Sequence, residues 1–236
     1  MSLPEEQFAR AATAEAGLLR VQQLQRMNHR ELQSLLSGDA TTVAPWVRSA
    51  AECGIAAAQL RFGRMLLAGQ GVERDAAAAF VWFSRAAGQR DAEAMNMMGR
   101  CHENGWGRDV DCGRAAHWYV SSATLGHDWG QYNWANLLFD GRGVPADRSQ
   151  AVVWYERAAR QGHARAMNLL GRCHEEGWGC EKNLAAAFEW YRRSAEGGYH
   201  RGQWNHAAAL ADRGLKQEAA EWFRRAAEGA RTATIP

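Results

Sequence analysis

The chain has 236 residues, of which 47% are hydrophobic and 23% are charged, and its formal net charge is +2. These values are typical of a soluble globular protein, and so small a net charge argues against a general attraction to nucleic acid or to an anionic membrane. The 5 cysteines form an odd set without paired spacing, which favours free thiols in a reducing cytoplasm.

The N-terminal segment is predicted to be a capping helix over residues 4–37. Glu5 and Glu6 stand in its first turn, and leucines recur near a 3.6-residue period until Gly38 ends the pattern. Residues 1–38 are therefore predicted to form a helical cap. The segment lacks a basic start followed by an apolar run, so we expect no signal peptide, and the chain never reaches the roughly 18 apolar residues that span a bilayer.

From Asp39 onward the sequence repeats with a period of 36 residues. The clearest copies are Gly-Arg-Cys-His-Glu-Asn-Gly-Trp-Gly at 99–107 and Gly-Arg-Cys-His-Glu-Glu-Gly-Trp-Gly at 171–179, which lie 72 residues apart. Weaker copies begin at Gly63 and Ala135. Self-similarity at a fixed period of this length is typical of stacked-repeat proteins. The array is predicted over 39–229, with units near 55–90, 91–126, 127–162, 163–198 and 199–229 and a tail over 230–236.

Each unit is predicted to contain a helix A, a Gly-x-Gly loop and a helix B. Helix A carries small residues five positions apart, which lets two helices approach closely. Helix B follows an N-cap residue, ends near a glycine, and carries a tryptophan that we expect to be buried between successive helix pairs. The predicted N-caps are Asp39, Asp75, Asp111, Asp147 and Asn183, and the tryptophans are Trp46, Trp82, Trp118, Trp154 and Trp190.

The pattern Ala-x4-Leu-Gly-x5-Gly-x-Gly-x3-Asp-x3-Ala-x2-Trp-Tyr-x2-Ala-Ala-x2-Gly resembles the Sel-1-like repeat family, relatives of the tetratricopeptide repeats. Residues 166–198 match it nearly throughout, and the resemblance covers about 55–229 with a degenerate half-unit from 39. It implies an all-α fold, a right-handed α/α solenoid (superhelix) of about five two-helix repeats after the capping helix. It also implies a scaffold or adaptor for protein–protein interaction, without enzymatic activity or cofactor.

By analogy with tetratricopeptide arrays, helix A is expected to line a concave groove. Arginines and asparagines alternate there with aromatic residues, which suits a peptide or protein partner with acidic or C-terminal carboxylate groups. The alternative is an ordinary polar, solvent-facing helix surface. The predicted groove residues are Leu60, Arg64, Asn96, Arg100, Trp129, Tyr132, Asn136, Arg165, Asn168, Arg172, Arg201 and Trp204.

Two loop tryptophans form a second candidate site. Trp106 and Trp178 stand between the two glycines of their loops, where other units have Gln70 and Arg142. Such a tryptophan either anchors a partner at the edge of the solenoid or covers the helix ends beneath it. The sequence leaves both roles open.

The pairs Cys101-His102 and Cys173-His174 are the candidates for metal or redox chemistry. Their phase is that of helix A packing positions, and copies two repeats apart are separated by about 20 Å if neighbouring helices lie about 8–10 Å apart. Zinc ligands converge at about 2 Å from one ion. We therefore predict packing and no metal site, with a metal- or redox-linked accessory protein, such as an iron-handling one, as the alternative function.

No catalytic residue is predicted. Each Gly-x-Gly joins two helices and not a strand and a helix, so it lacks the context of a phosphate-binding loop. Glu103, Glu175 and Glu176 are expected to be solvated charges near helix ends, and no serine lies in a nucleophile-elbow pattern. Arginines and aromatic rings also stack on bases or sugars, but the near-neutral charge gives nucleic-acid or polysaccharide binding less support.

Overall fold

The computed structural model describes residues 16–23, 26, 27, 30 and 37–233. Within 37–233 the chain forms α-helices and no strand, so the predicted all-α class is confirmed. The helices are α1 (Ala40–Glu52), α2 (Ala56–Ala68), α3 (Ala76–Gly88), α4 (Ala92–Asn104), α5 (Cys112–Thr124), α6 (Asp128–Asp140), α7 (Arg148–Arg160), α8 (Ala164–Glu176), α9 (Leu184–Glu196), α10 (His200–Asp212) and α11 (Lys216–Ala233).

The chain divides into two compact units, residues 1–111 and 112–236. The first unit holds α1 to α4 and the second holds α5 to α11. Within each unit every helix packs against the next one along the chain, and in the second unit α8 also contacts α10. Helix A of the repeats is α2, α4, α6, α8 and α10, whereas α1 and the remaining odd-numbered helices are helix B. This is the alternation that the 36-residue period predicts.

Helix B begins where the sequence predicts, at a capping side chain. The Asp75 carboxylate accepts a hydrogen bond from the Ala78 N–H at 2.8 Å, and Asn183 Oδ1 accepts one from the Ala186 N–H at 2.9 Å. These bonds satisfy N–H groups of the first turn that have no partner within the helix. The predicted N-caps confirmed by such bonds are Asp39, Asp75, Asp147 and Asn183.

Each of the two glycines in the Gly-x-Gly loop is required for a different structural reason. Gly177 ends α8 in the left-handed conformation, with φ of 74°, and its N–H donates to the Cys173 carbonyl. Gly179 also has positive φ, and a Cβ there would lie 2.3 Å from the Arg148 carbonyl oxygen at the start of α7. Both positions therefore require glycine for backbone geometry, which accounts for the motif without a phosphate ligand.

The helix B tryptophans were predicted to be buried between helix pairs, and they are not in the core. The five tryptophans are only half-buried, and the aromatic residue that follows each one in α3, α5, α7 and α9 is at most 2% exposed. Adjacent side chains on a helix point about 100° apart, so only one of the two faces the core. Trp82, Trp154 and Trp190 lie at the boundary, and each stacks under an arginine, as Arg85 does over Trp82 at 4.5 Å. The buried rings are Phe83, Tyr119, Tyr155 and Tyr191.

Glycines of helix A make room for these buried rings. A Cβ on Gly171 would lie 2.5 Å from two ring carbons of Tyr191, and a Cβ on Gly63 would lie 2.5 Å from the ring of Phe83. Ring carbons normally approach no closer than about 3.5 Å. The glycine in the Leu-Gly step of the repeat pattern therefore leaves space for the aromatic residue of helix B.

Matched small residues bring helix B close to the next helix A, as the small positions predict. A Cβ on Gly202 would lie 2.1 Å from Ser194 Oγ, and a Cβ on Gly130 would lie 2.3 Å from Ser122 Oγ. The Ser194 hydroxyl donates to the Ala164 carbonyl at 2.7 Å. Ser122 and Ser194 on helix B thus each face a glycine on the following helix A.

A helix was predicted at the N-terminal end of the chain and a tail at the C-terminal end. The helix predicted over 4–37 lies largely outside the described residues, of which 16–23 are helical and Met27 is not. Helix α11 continues into the predicted tail as far as Ala233, with Arg231 Nε donating to the Ala227 carbonyl at 3.4 Å, and the rest of that tail lies outside the described residues. Among the described residues no helix has the length and hydropathy needed to cross a bilayer.

Candidate functional site on helix A

The second unit has a cavity of about 260 Å³ lined by α6, α8, α10 and the residue that precedes α10. We call it the Arg165 cavity. Half of the predicted groove residues surround it, together with three residues that were not predicted. The predicted ones are Tyr132, Arg165, Asn168, Arg172, Arg201 and Trp204, and the others are Leu169, Tyr199 and Asn205.

The cavity is positively charged without a compensating acid. Arg165, Arg172 and Arg201 line it, no acidic side chain does, and none of the three forms an ion pair with a carboxylate in the described part of the chain. Arginines on the helix B face of the same unit are different. Arg192, for example, contacts Glu189 at 2.7 Å and Glu196 at 2.5 Å. The cavity is thus a place where positive charge is left available to a ligand.

Aromatic rings hold Arg165 in position. Its guanidinium carbon lies 5.2 Å from the ring centre of Trp129 and 5.6 Å from that of Tyr199. Cation–π contacts with these two rings restrain the guanidinium without using a carboxylate. Trp129, which was predicted to bind a partner, does not line the cavity and instead supports Arg165.

Trp204 is the most exposed aromatic residue at the cavity, with 57% of its surface accessible. Its ring lies 4.7 Å from that of Phe223 in an edge-to-face arrangement, which fixes one side of the indole. A large ring that is exposed and yet braced loses little side-chain entropy when it contacts a partner.

His163 supports the cavity from behind. Its ring stacks on Tyr132 at 4.7 Å and meets Trp129 edge-to-face at 4.5 Å, while its Nδ1 accepts the Ala166 N–H at 3.2 Å and so caps α8. Burial lowers the pKa of His163 to about 4, because the charged imidazolium is poorly solvated there. The imidazole is therefore neutral near pH 7 and acts as a capping acceptor.

The predicted asparagines are more buried than a peptide-binding role requires. Asn96 and Asn168 are 4% and 5% exposed, and Asn168 Oδ1 accepts a hydrogen bond from Asn205 Nδ2 at 2.8 Å. Asn136 Oδ1 accepts the Tyr155 hydroxyl at 2.7 Å, so it serves the core. Asn168 nevertheless lines the cavity and keeps its Nδ2 donors for a ligand.

In the first unit the predicted groove residues are placed differently. Leu60 is 5% exposed and belongs to the core, so its assignment as a contact residue is wrong. Arg64 forms an ion pair with Glu93. Arg100 is exposed and lines a cavity of about 380 Å³ together with Arg64 and Trp106. Part of the charge of this cavity is therefore already neutralised by Glu93.

The loop tryptophans stack on arginines of their own helix A. The Arg100 guanidinium lies 4.8 Å from the ring centre of Trp106, and that of Arg172 lies 5.1 Å from Trp178. Trp178 also meets Phe139 edge-to-face at 5.6 Å. These contacts indicate that Trp178 covers neighbouring side chains and holds Arg172 in place.

The cysteines of the two Cys-His pairs are core residues. Cys101 and Cys173 are at most 1% exposed, and burial raises the pKa of each thiol to about 12, which keeps both protonated and poorly reactive. His102 is buried, with its ring 5.7 Å from Phe80, and His174 Nδ1 lies 3.6 Å from Cys180 Sγ. Among the described residues no group of three or more His, Cys, Asp or Glu is arranged to hold a metal.

One of the acidic residues near a helix end was misassigned. Glu175 is not a solvated charge, because its carboxylate accepts the Tyr191 hydroxyl at 2.6 Å. The pKa of Tyr191 is raised, mainly by burial and to a smaller extent by this hydrogen bond. The buried Tyr191 hydroxyl needs a hydrogen-bond acceptor, and the Glu175 carboxylate supplies it. Glu175 lies one turn along α8 from Arg172.

Three cavity residues were missed at the sequence level. Tyr199 precedes α10 at the phase that Asp91, His127 and His163 occupy in other units, and it has no capping hydrogen bond. Its aromatic ring at a capping phase was the available signal. Leu169 and Asn205 follow predicted residues directly, and no pattern singled them out.

The fold defines the class of the protein. Paired helices of 13 residues joined by Gly-x-Gly turns make it an α-helical repeat protein. The sequence matches the Sel1 repeat over residues 56–91, 92–127, 130–163, 164–199 and 212–230. The chain therefore belongs to the Sel1 repeat family, as its sequence pattern predicts.

Solved structures agree with this assignment. The chain is similar to c5321, a protective antigen present in uropathogenic Escherichia coli strains that displays an SLR fold, with 26% identity and a TM-score of 0.71 over 94% of this chain and 46% of that one. It thus spans about half the length of that antigen. A Sel1 repeat protein from Oxalobacter formigenes is 28% identical, with a TM-score of 0.71 over 75% of this chain and 74% of that one.

More distant relatives share the fold alone. The immunity protein Pa5087 from Pseudomonas aeruginosa is 17% identical, with a TM-score of 0.54 over 74% of this chain and 66% of that one. No match was found among curated proteins. Sel1 repeat proteins generally serve as scaffolds for protein–protein interaction, and the family is generally non-enzymatic.

Proposed function

We propose that this chain is a non-enzymatic adaptor that binds a protein or peptide partner on the helix A face of its second unit, through acidic or C-terminal carboxylate groups of the partner. The observation that carries the proposal is the Arg165 cavity, where three arginines have no carboxylate partner. Arginine binds carboxylates through two parallel N–H donors, and charge-assisted bonds of this kind are about twice as strong as neutral ones. A carboxylate group of the partner would therefore form charge-assisted hydrogen bonds at this site that the chain itself does not form.

The aromatic residues supply the second part of binding. Trp204 is exposed and braced by Phe223, and Arg165 is held by Trp129 and Tyr199. Because these side chains are already ordered, a partner does not bear the entropy of ordering them. Tryptophan, tyrosine and arginine are also the residues that most often dominate the binding energy of protein interfaces.

The test is capture of the partner from the native host, followed by titration with the purified partner. The variant Arg172→Glu/Arg201→Glu reverses two charges at the cavity and is expected to weaken binding at least tenfold, since close charge pairs across an interface are coupled by about 1.5–7 kcal/mol. The control Arg160→Glu/Arg224→Glu makes the same charge change on helix B, where both arginines are exposed. Equal weakening by both variants would refute a site at the cavity.

We also propose a cytoplasmic location, supported by the odd set of cysteines and by buried, unpaired Cys101 and Cys173. Fractionation of the host with an antibody to the chain tests this directly. Recovery in a secreted or periplasmic fraction, with oxidised cysteines, would refute it. The metal- or redox-linked alternative gains no support, because the thiols of both Cys-His pairs are protonated core groups.

A further inference from the structure

The Arg165 cavity carries more positive charge than one carboxylate neutralises. Arg165, Arg172 and Arg201 contribute three guanidinium groups to a cavity of about 260 Å³. A carboxylate offers one negative charge and two acceptor oxygens, and one guanidinium is enough to bind it bidentately. A phosphate monoester carries about 1.5 to 2 negative charges near pH 7 and has three strong acceptor oxygens.

We infer that the Arg165 cavity binds a phosphorylated side chain of the protein partner. This inference rests on the proposed function and specifies which anionic group the partner presents. Arginine clusters recognise phosphorylated motifs because several planar forks can share the oxygens of one phosphate. The chain uses arginine and no lysine at this cavity.

The donors that a phosphate needs point to the same ligand. Trp129 and Tyr199 hold the Arg165 guanidinium by cation–π contacts, and no acidic side chain at the cavity competes for its N–H donors. Asn168 accepts from Asn205 through its oxygen and keeps its Nδ2 as a donor. Donors with no competing acid at the cavity suit a ligand that is an acceptor only.

The size of the cavity and its neighbouring aromatic residue define the rest of the ligand. A volume of about 260 Å³ equals about nine water molecules at roughly 30 Å³ each. This volume is large enough for one phosphorylated side chain. Trp204 at the same cavity provides an exposed ring for an adjoining apolar or aromatic residue. The ligand is therefore a phosphorylated residue next to an apolar one.

The experiment compares pools of degenerate heptapeptides that differ only at the central position. The pools contain phosphoserine, phosphotyrosine, glutamate or serine at that position and have amidated C-termini, and a further serine pool has a free C-terminus. Binding to the full chain is measured by fluorescence anisotropy, with inorganic phosphate alone as competitor. The variants are Arg172→Gln/Arg201→Gln and the control Arg160→Gln/Arg224→Gln, with circular dichroism melting to confirm that both fold.

We expect one phosphorylated pool to bind at least tenfold more tightly than the glutamate pool, and Arg172→Gln/Arg201→Gln to abolish that advantage while the control keeps it. Equal binding of the phosphorylated, glutamate and free-C-terminus pools would overturn the inference and leave the proposed acidic ligand standing. Displacement by inorganic phosphate at the concentration of the peptide itself would also overturn it, because the site would then recognise the ion and not a partner. If no pool shows dependence on these arginines, both the inference and the proposed function fail.

Discussion

The contact between the Tyr191 ring and Gly171 on α8 provides the most direct test of the helix packing. We predict that Gly171→Ala destabilises the chain, although alanine is the better helix former. A Cβ at this position would lie 2.5 Å from Cδ1 and Cε1 of Tyr191, whereas ordinary carbon contacts are about 3.5–4.0 Å. The ring must then move by about 1 Å. It is 2% exposed and bound to Glu175, so it has little room to do so.

The expected magnitude follows from two opposing terms. Replacing glycine by alanine within a helix contributes about 1 kcal/mol of stability. Overpacking a close-packed site costs about 1–3 kcal/mol. Because the Tyr191 ring is buried and hydrogen-bonded, we expect the upper part of that cost, about 2–3 kcal/mol. The net loss at Gly171 is then about 1–2 kcal/mol, which corresponds to a melting temperature lower by about 2–8 °C in a chain of this size.

The assay is urea unfolding followed by circular dichroism, with two comparisons. Gly88→Ala is the matched control, because a Cβ there has nothing within 4 Å, and it is expected to stabilise by about 0.5–1 kcal/mol. In a Tyr191→Leu background, Gly171→Ala is expected to lose its penalty, because the ring carbons are gone. A Gly171→Ala variant as stable as the wild type, or one destabilised equally in both backgrounds, would refute the reasoning.

Two further predictions concern titratable groups. The pKa of His163 is lowered from 6.5 to about 4 by burial, so the unfolded chain takes up this proton first, and the stabilisation is complete above about pH 6.5 and lost progressively toward pH 4. His163→Asn, which keeps a capping acceptor for Ala166, is expected to flatten unfolding stability between pH 6.5 and 4, and an unchanged slope would argue against it. Burial raises the pKa of Cys101 and Cys173 to about 12, so iodoacetamide at pH 8 should label exposed Cys53 at least about a hundredfold faster in peptide mass spectrometry. Similar rates for all three would contradict their burial.

Much of the fold could be predicted because backbone requirements leave strong residue preferences. Aspartate and asparagine at the start of helix B, and glycine at Gly177 and Gly179, each follow from local geometry. The period then propagates one such assignment through every unit. The order of Trp190 and Tyr191 could not be decided in this way, since both rings are large and aromatic. Only the packed structure shows that Gly171 receives the tyrosine.

The candidate site was predicted less completely for a different reason. Helical phase places Arg165 and Arg201 on the face that lines the cavity, and it places Leu60 on the same face of α2. Helical phase does not show which side chains are covered by neighbouring residues, so the burial of Leu60 was missed. Hydrogen bonds between helices, such as Asn136 with Tyr155, are equally invisible to a pattern that compares each position only with its own copies.

The serine–glycine contacts have a consequence for how such chains can grow. Ser122 with Gly130 and Ser194 with Gly202 recur after 72 residues, whereas the contact positions halfway between them, Ala158 and Ala166, are both alanine. The Gly-Arg-Cys-His-Glu copies have the same double spacing. Duplicating residues 91–126 alone would therefore set Ser122 against an alanine Cβ, while duplicating residues 91–162 together would leave these junctions matched. In this part of the array the insertion that preserves the contacts is a tandem pair.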